Sequence, residues 1–340
     1  MKLHAHDLDH RTPERIVRGR VLDDQGQPVA GAEVWSIAMQ RGNSTQFGGL
    51  KGVDALAVTN ARGEFRLGVP ENGMALYVQV EARNLARRIF PGSSNQASPG
   101  LSAGATEHKL ELRPGVTVLG KAIKNGKPSP GIVVGLVQSN RNSATFLGEQ
   151  KIRTDQDGQF LMRNVPAHES YVIYGQMDSC RQHGAIKAGS VLSGADGTVL
   201  DVGALNMEPG LRLTGRLMLS DQKPLPAGTR VSLSREQAWD VQVADVAADG
   251  GFSFYGLPAE GYTLSSKVAG YHFSSKNVSI DENGFRLAGR IEKDISGLRV
   301  LLEPGAYKMP QQFPQKHYEE AERRRRQPIE GAPNLAEKPR

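Results

Sequence analysis

The chain has 340 residues, a length that favours two or three domains of roughly 100–200 residues each. No apolar run approaches the roughly 20 residues of a membrane-spanning helix, and the single cysteine, Cys180, excludes an intrachain disulfide framework. The net charge of +6 is spread along the chain, so it gives no support to nucleic-acid binding.

The N-terminal residues 1–12 are polar and rich in histidine. They do not have the composition of a secretory signal, so we expect either a cytosolic protein or a chain whose export segment lies elsewhere. Residues 1–15 are predicted to form a disordered leader, because terminal segments usually lack order unless they are tied down. Imidazoles and carboxylates in this segment could hold a transition metal, although a solvated tail is favoured. These groups belong to His4, His6, Asp7, Asp9 and His10.

A polar turn followed by an aromatic strand occurs three times, over residues 59–70, 154–166 and 247–258. Each copy has a Gly-containing turn, a phenylalanine, an apolar residue two positions further on and a closing proline. The phenylalanines are Phe65, Phe160 and Phe252, which are 95 and 92 residues apart. A fixed period of this size indicates tandem repeated units.

Each unit also begins and ends in the same way. The opening strand alternates apolar and polar residues and contains a glycine, at Gly19, Gly120 or Gly215. Glycine weakens a strand unless another group packs closely against it, so its return predicts a shared packing constraint. Each unit closes on a short strand that a Pro-Gly pair stops, at residues 114–115, 209–210 and 304–305.

Six or seven short strands per unit, separated by turns and without a helical period, are typical of a β-sandwich. We therefore predict an all-β fold of three tandem immunoglobulin-like or prealbumin-like β-sandwiches with disordered or weakly helical termini. The predicted boundaries are 16–114, 115–209 and 210–305, followed by a charged tail over 306–340. Within that tail, the arginine run 323–326 is expected to be solvated. The connections 91–105 and 181–197 are rich in Gly and Ser and are predicted to be surface loops.

The repeated pattern resembles the carboxypeptidase regulatory-like domain family, which shares the prealbumin (transthyretin-like) sandwich. Residues 19–34 fit its G-x-V-x-D-x-x-G-x-P-(apolar)-x-G-A-x-V pattern, and residues 154–166 fit its later T-(D/N)-x-x-G-x-F pattern. The third unit departs from the family by placing Ala247 and Ala248 where the family has Thr-Asp. The resemblance implies an exported bacterial protein of the extracellular space or cell envelope. It implies no activity, because the family is an accessory module of peptidases, envelope receptors and adhesins.

Two motifs could indicate chemistry, but each has a simpler interpretation. Cys180 near His183 could form a nucleophile and a base, although an unreactive loop thiol is favoured because spacing does not show a lowered pKa. Residues 155–158, Asp-Gln-Asp-Gly, imitate the start of a calcium loop, but apolar residues follow where further oxygen ligands would be needed. The spacing of His168 and Glu169 does not fit a metallo-carboxypeptidase site. We expect no enzymatic activity, no metal and no cofactor.

The candidate ligand site is the insert between the second strand and the repeated turn of each unit. Each insert places an aromatic residue beside planar hydrogen-bonding groups, which would suit a sugar ring or an extended peptide on a rigid support. The alternative is that these aromatics hold their own loops onto the sandwich. The candidate residues are Gln40, Arg41 and Phe47 in the first unit, Gln138, Arg141 and Phe146 in the second, and Arg235, Gln237 and Trp239 in the third.

Three functional hypotheses follow from these features. A structural or adhesive array predicts rigid consecutive units without a small ligand. A carbohydrate- or peptide-binding module predicts that the insert aromatics are exposed on one side, and a peptidase accessory region predicts a catalytic region encoded on a flank. We favour the first hypothesis. The expected partner is a glycan or a protein and not a nucleic acid, and we expect a monomeric array without a transmembrane segment.

Overall fold

A computed structural model describes residues 8, 11–48, 50–71, 73–92, 100–141, 145–235, 237–274 and 288–305. These residues fold almost entirely as short β-strands in three tandem β-sandwiches, which confirms the predicted fold class. The charged tail and most of the leader lie outside the described residues. Within the described ranges, no helix has the length and apolar character needed to cross a membrane.

The first sandwich has two sheets of unequal size. Its smaller sheet has the order β5-β1-β9, and its larger sheet is built on β2 and β6, with β3 and β4 beside β2 and with β7 and β8 beside β6. The strands are β1 (Ile16–Leu22), β2 (Glu33–Arg41), β3 (Ser44–Phe47), β4 (Leu56–Val58), β5 (Glu64–Gly68), β6 (Ala75–Glu81), β7 (Arg88–Phe90), β8 (Leu101–Ser102) and β9 (Glu107–Glu111).

The second sandwich repeats this plan and adds one short helix. In its first sheet, β10 pairs with β11, β14 and β17, and its second sheet has the order β13-β12-β15-β16. The elements are β10 (Val116–Lys124), β11 (Lys127–Pro128), β12 (Val133–Gln138), β13 (Glu149–Arg153), β14 (Gln159–Val165), β15 (Ser170–Gly175), α1 (Met177–Cys180), β16 (Gly189–Leu192) and β17 (Val199–Asn206).

The third sandwich has two sheets of four strands, in the orders β21-β18-β25-β23 and β20-β19-β22-β24. Its strands are β18 (Leu211–Leu219), β19 (Arg230–Arg235), β20 (Val241–Asp245), β21 (Gly251–Leu257), β22 (Glu260–Ser266), β23 (Tyr271–Phe273), β24 (Ala288–Ile291) and β25 (Ile295–Pro304).

In all three sandwiches the opening strand pairs antiparallel with the phenylalanine strand and parallel with the closing strand. The repeated phenylalanines and the apolar residues two positions after them are buried between the sheets. The period-two alternation that is visible in the sequence therefore builds the core of each sandwich.

The glycine in each opening strand makes room for the phenylalanine ring of its own unit. A Cβ atom on Gly19 would lie 2.7 Å from Phe65, and one on Gly120 would lie 2.7 Å from Phe160. On Gly215 it would lie 2.6 Å from the ring of Phe252. The predicted shared packing constraint is confirmed: each ring lies directly on the strand backbone.

Three segments are more ordered than the sequence indicates. The predicted surface loop 91–105 contains strand β8, whose Leu101 is buried in the core of the first sandwich. Residues 181–197, predicted to be a surface loop, contain strand β16 and the buried residues Ile186 and Ala188, so that prediction is wrong. At the N-terminus, the described part of the leader contacts the first sandwich, because Pro13–Arg15 form a 3-10 turn and Arg11 Nη1 donates to the carbonyl of Val69 at 3.1 Å.

Candidate functional site at the junction of the second and third sandwiches

The inserts of the second and third units meet each other. The second unit contributes Arg141 and Phe146 from the connection between β12 and β13. The third contributes Arg235 from the end of β19, and Gln237 and Trp239 from the turn between β19 and β20. We call this contact region the junction.

Arg235 lies at the centre of the junction with its side chain fully buried. Its Nε donates to Glu260 Oε2 at 2.9 Å and its Nη2 donates to Glu260 Oε1 at 2.7 Å, which is a bidentate ion pair within the third sandwich. The same guanidinium donates across the junction to the carbonyls of Gly175 at 2.9 Å and Ile186 at 3.3 Å. One buried side chain thus joins two sandwiches.

The two carboxylates around Arg235 also bind the second sandwich. Asp240 Oδ2 accepts a hydrogen bond from the backbone N–H of Met177 at 2.8 Å, and Glu260 Oε1 accepts one from the N–H of Ala188. The side chain of Met177, on α1, packs into the hydrophobic core of the third sandwich. A buried charge is costly unless it is paired and hydrogen-bonded, and these contacts meet both conditions.

Burial and ion pairing set the protonation of these groups. Burial alone would lower the pKa of Arg235, but the charge and hydrogen bonds of Glu260, together with the charge of Asp240 and the Tyr262 hydroxyl, outweigh it, and the pKa is raised. Burial raises the pKa of Asp240, and the bonds from Met177 and Arg235 counteract only part of that rise. Arg235 is therefore held as a cation in the junction.

An aromatic layer covers this charged centre. The rings of Phe146 and Trp239 lie 5.2 Å apart between centroids, and Arg141 Cζ lies 5.0 Å from the centroid of Trp239. Arg141 Nη2 also donates to the carbonyl of Gln237 at 2.7 Å, and Tyr174 Oη donates to the carbonyl of Trp239 at 3.2 Å. Trp239 nevertheless remains 50% exposed, so its outer face is accessible.

A backbone contact forms the other part of the junction. Gly256 has a φ of 67°, and a Cβ atom there would lie 2.8 Å from the Cα of Arg181 in the second sandwich. A Cβ on Gly210, the glycine of the second Pro-Gly pair, would lie 2.5 Å from the Cα of Gly256. Glycine is needed at both positions because the two backbones approach too closely for a side chain.

The junction of the first and second sandwiches has the same backbone contact. Asn164, with a φ of 61°, accepts a hydrogen bond at its carbonyl from Arg87 N at 3.1 Å. A Cβ on Gly115 would lie 2.6 Å from the Cα of Asn164. Asn164 and Gly256 both lie where the pairing with the opening strand shifts register, which is the position of a β-bulge.

The other candidate residues lie away from the junction of the second and third sandwiches. Gln40 and Arg41 on β2 and Phe47 on β3 belong to one hairpin of the first sandwich, where Phe47 is 57% exposed. Gln138 is buried and its Oε1 accepts a hydrogen bond from Leu147 N at 2.8 Å. It lines a cleft of about 440 Å³ between the first and second sandwiches.

The structure shows the surroundings of Cys180 and of the turn 155–158, the two motifs that could indicate chemistry. Cys180 is buried, and burial raises the pKa of its thiol to about 11, so the thiolate needed for reaction is disfavoured near neutral pH. Asp155 Oδ1 accepts hydrogen bonds from the backbone N–H groups of Asp157 at 3.0 Å and Gln159 at 2.8 Å, which is the geometry of an Asx turn.

Sequence reasoning missed Glu260, Asp240 and Met177, the partners that complete the junction. Glu260 comes two positions after Pro258, the proline that closes the third repeated turn, and Asp240 directly follows Trp239. An acidic residue at the start of a strand is usually solvated, and the sequence contains no signal that the second sandwich covers these two.

No family model and no curated protein sequence matches this chain. Among solved structures it is distantly similar to the Bacillus anthracis TIE protein, with 12% identity, a TM-score of 0.22, and coverage of 85% of this chain and 50% of that one. A Streptococcal ancillary pilin has 12% identity and a TM-score of 0.27, covering 86% of this chain and 100% of the pilin. GBS52, the minor pilin in Streptococcus agalactiae, has 14% identity and a TM-score of 0.25, covering 58% and 99%. The chain thus spans about half the length of the TIE protein.

Proposed function

We propose that this chain is a non-enzymatic array of three β-sandwiches that serves as a structural or interaction region, adhesive or spacer, of a bacterial envelope protein. The sandwiches correspond to residues 16–114, 115–209 and 210–305 and are of the carboxypeptidase regulatory-like type. The array acts as a monomer and needs no metal or cofactor.

The buried Arg235 carries this proposal. A spacer must hold its units in a defined relative orientation, and a linker alone would leave them free to move. Arg235 hydrogen-bonds to the third sandwich through Glu260 and to the second through Gly175 and Ile186. Because these bonds are removed from water, separating the sandwiches would expose or orphan a buried charge network.

Distance measurements between paired spin labels on the full chain test this proposal. Labels at Lys121→Cys and Lys223→Cys report on exposed positions of the second and third sandwiches, while the native Cys180 is buried. We expect one narrow distance distribution, which Arg235→Met should broaden. A broad distribution in the parent chain would show that the sandwiches move independently and would contradict the spacer role.

A carbohydrate- or peptide-binding module is the second candidate, favoured by the exposed outer face of Trp239 beside Arg141. In this function the candidate contacts are Trp239, Arg141 and the hairpin residue Phe47, since Arg235 is occupied within the junction. Replacing Trp239 with Ala should abolish binding in a glycan-array or peptide screen, whereas Phe47→Ala identifies any separate contribution of the first sandwich. A third candidate, an accessory region of a peptidase encoded on a flank, is tested by the genomic context of the reading frame.

A further inference from the structure

Strand β20 is an outer strand of its sheet, and its register shows which backbone groups face outward. Arg235 N donates to Asp240 O at 3.0 Å and Val246 N donates to Thr229 O at 3.0 Å. Hydrogen-bonded pairs alternate along an antiparallel ladder, so the even-numbered residues of β20 bond to β19. The N–H and C=O groups of Val241, Val243 and Asp245 therefore point away from the sheet, and β19 is the strand paired with β20 among the described residues.

The side chains along this edge are apolar and accessible. Val241 is 47% exposed and Val243 is 49% exposed, and the half-exposed Trp239 lies two positions before Val241 in the chain. A long exposed edge strand with apolar side chains is a template for pairing with another strand, and natural proteins usually blunt such edges with charges.

The equivalent strand of the second sandwich shows that protection. In β13 the outward-pointing positions are taken by Glu149, Lys151 and Arg153, and Lys151 Nζ lies 2.7 Å from Glu149 Oε2. The equivalent strand of the first sandwich, β4, has only three residues. Val241 and Val243 thus stand in the third sandwich where the second has Glu149 and Lys151, and only the last of the three outward positions, Asp245, keeps a charge.

The neighbouring strand β21 is already protected at its own edge. The carboxamide of Gln242 accepts a hydrogen bond from Tyr255 N at 3.2 Å and donates one to Tyr255 O at 3.2 Å, as a partner strand would. Gln150 donates in the same way to Arg163 O at 3.2 Å in the second sandwich. The Gln242 side chain therefore bonds backbone groups of β21. The outward N–H and C=O groups of β20 have no hydrogen-bond partner among the described residues.

A groove of about 590 Å³ runs between β20 and β21 and has a basic wall. Arg181, Arg212 and Arg216 line it, together with Asp245 on the β20 side. Arg216 pairs with Asp249 at 2.9 Å on the exposed surface, and the other two guanidinium groups lie over Tyr255 at 6.0 and 5.1 Å. The excess positive charge of the lining favours an acidic occupant.

We propose that the β20 edge binds an extended, acidic polypeptide segment as an added strand. Backbone hydrogen bonds to Val241 and Val243 give affinity, as in other cases of strand addition. Apolar side chains of the bound segment lie beside the two valines, and its alternate, acidic side chains face the arginine-lined groove. This interaction goes beyond the spacer role and does not depend on it.

Binding of two designed peptides to the full chain tests the inference. The acidic probe is acetyl-Thr-Glu-Val-Glu-Val-Glu-Val-Glu-Thr, labelled with a fluorophore, and the matched probe carries Lys in place of every Glu. We expect the acidic probe to bind at least about tenfold more tightly in fluorescence polarisation, with an affinity that falls as salt is added.

Val243→Pro removes one outward N–H without affecting the ladder to β19, since proline is tolerated at such edge positions. This substitution should lower the affinity for the acidic probe by about tenfold, because one backbone hydrogen bond is lost and the two strands approach less closely. Leu192→Pro is the matched control, because Leu192 is 65% exposed on the outer strand β16 of the second sandwich. This substitution should leave binding of the acidic probe unchanged. Thermal midpoints of both variants verify folding.

Three outcomes would overturn the proposal. The first is no binding of the acidic probe at 1 mM, and the second is equal binding of both probes. The third is self-association of the chain that Val243→Pro abolishes, which would assign the edge to a second copy instead. None of these affects the spin-label distances, so the inference and the spacer role fail separately. If Val243→Pro lowers the thermal midpoint strongly, Val243→Asp keeps the N–H and repels the acidic probe, and unchanged binding would then count against the edge.

Discussion

Arg235 and Glu260 form a bidentate ion pair at 2.7 and 2.9 Å, and each also hydrogen-bonds to the backbone of the second sandwich. The pair therefore acts in two places at once: it joins β19 to β22 and it joins one sandwich to the next. Such a pair stabilises little in comparison with apolar packing, but breaking it leaves an uncompensated buried charge.

We expect Arg235→Met to lower the free energy of unfolding by about 3–5 kcal/mol, because Glu260 and Asp240 would remain buried without their cation. Urea unfolding followed by fluorescence measures this loss of unfolding free energy. The double variant with Glu260→Leu should recover much of the loss. Arg216→Met, which removes an exposed ion pair with Asp249, is the control and should cost less than about 1 kcal/mol. Equal losses in the two single variants would show that burial of Arg235 is unimportant.

Gly256→Ala should destabilise the junction far more than Gly126→Ala does. Both glycines have positive φ, 67° and 74°, so both substitutions carry the left-handed penalty of about 1–2 kcal/mol. Only at Gly256 does the added Cβ approach another sandwich, at 2.8 Å from the Cα of Arg181, whereas nothing lies within 4 Å of it at Gly126. Chemical unfolding should show an additional loss of at least about 1 kcal/mol for Gly256→Ala. Similar losses would mean that the junction adjusts without cost.

Stability should fall between pH 9 and 11 because of Cys180. Its folded pKa is raised by burial from 9.0 to about 11, so the folded state holds the proton more tightly than the unfolded state. The resulting stability is present below the unfolded pKa and is lost as the pH rises towards the folded one. By pH 10.5 the loss is about 2 kcal/mol.

The difference between the parent chain and Cys180→Ala isolates this contribution. Burial also raises the pKa of Tyr171 and Tyr262, so both proteins should lose stability in alkali. The free energy of unfolding of the variant should be lower at pH 7, because the variant loses buried volume. It should then fall by less than that of the parent chain between pH 7 and pH 10.5. Parallel curves in urea titrations at several pH values would contradict the assignment to Cys180.

Trp239→Ala should cost about 1–2 kcal/mol, because its ring packs on Phe146 and under Arg141 across the junction. Phe47→Ala removes a ring that is 57% exposed and should cost less than about 0.5 kcal/mol. Thermal unfolding of the two variants compares an aromatic that joins sandwiches with one that does not. An equal effect would place Trp239 outside the stabilising contacts of the junction.

The core of each sandwich could be predicted because its determinants are local. Phe160 and Met162 alternate on one strand, and the Gly-containing turn before them specifies where that strand begins. The packing role of Gly120 also followed from its position, since a glycine inside a strand needs a close neighbour.

The junction could not be predicted in the same way, because its partners are distant in sequence and their burial depends on another unit. Gln237 and Arg141 were singled out for ligand binding, yet they meet each other at 2.7 Å across the two units. Nothing in the local pattern around Arg235 distinguishes a solvated strand end from one that the preceding sandwich covers. Ala188 lies in a segment predicted to be a loop from its Gly and Ser content, yet it is buried in a cluster that includes Ala238 of the third unit.

The bulges at Asn164 and Gly256 have a consequence for the array as a whole. Pro166 follows Phe160 by six positions and Pro258 follows Phe252 by six, whereas Pro70 follows Phe65 by only five. The second and third sandwiches carry the additional residue at the bulge that the preceding sandwich contacts, whereas in the first sandwich a Cβ atom on Gly68 would lie 2.5 Å from Nη1 of Arg11. The first module is consequently not interchangeable with the other two: transplanting it into second place would require lengthening its strand by one amino acid, whereas the second and third modules share this insertion.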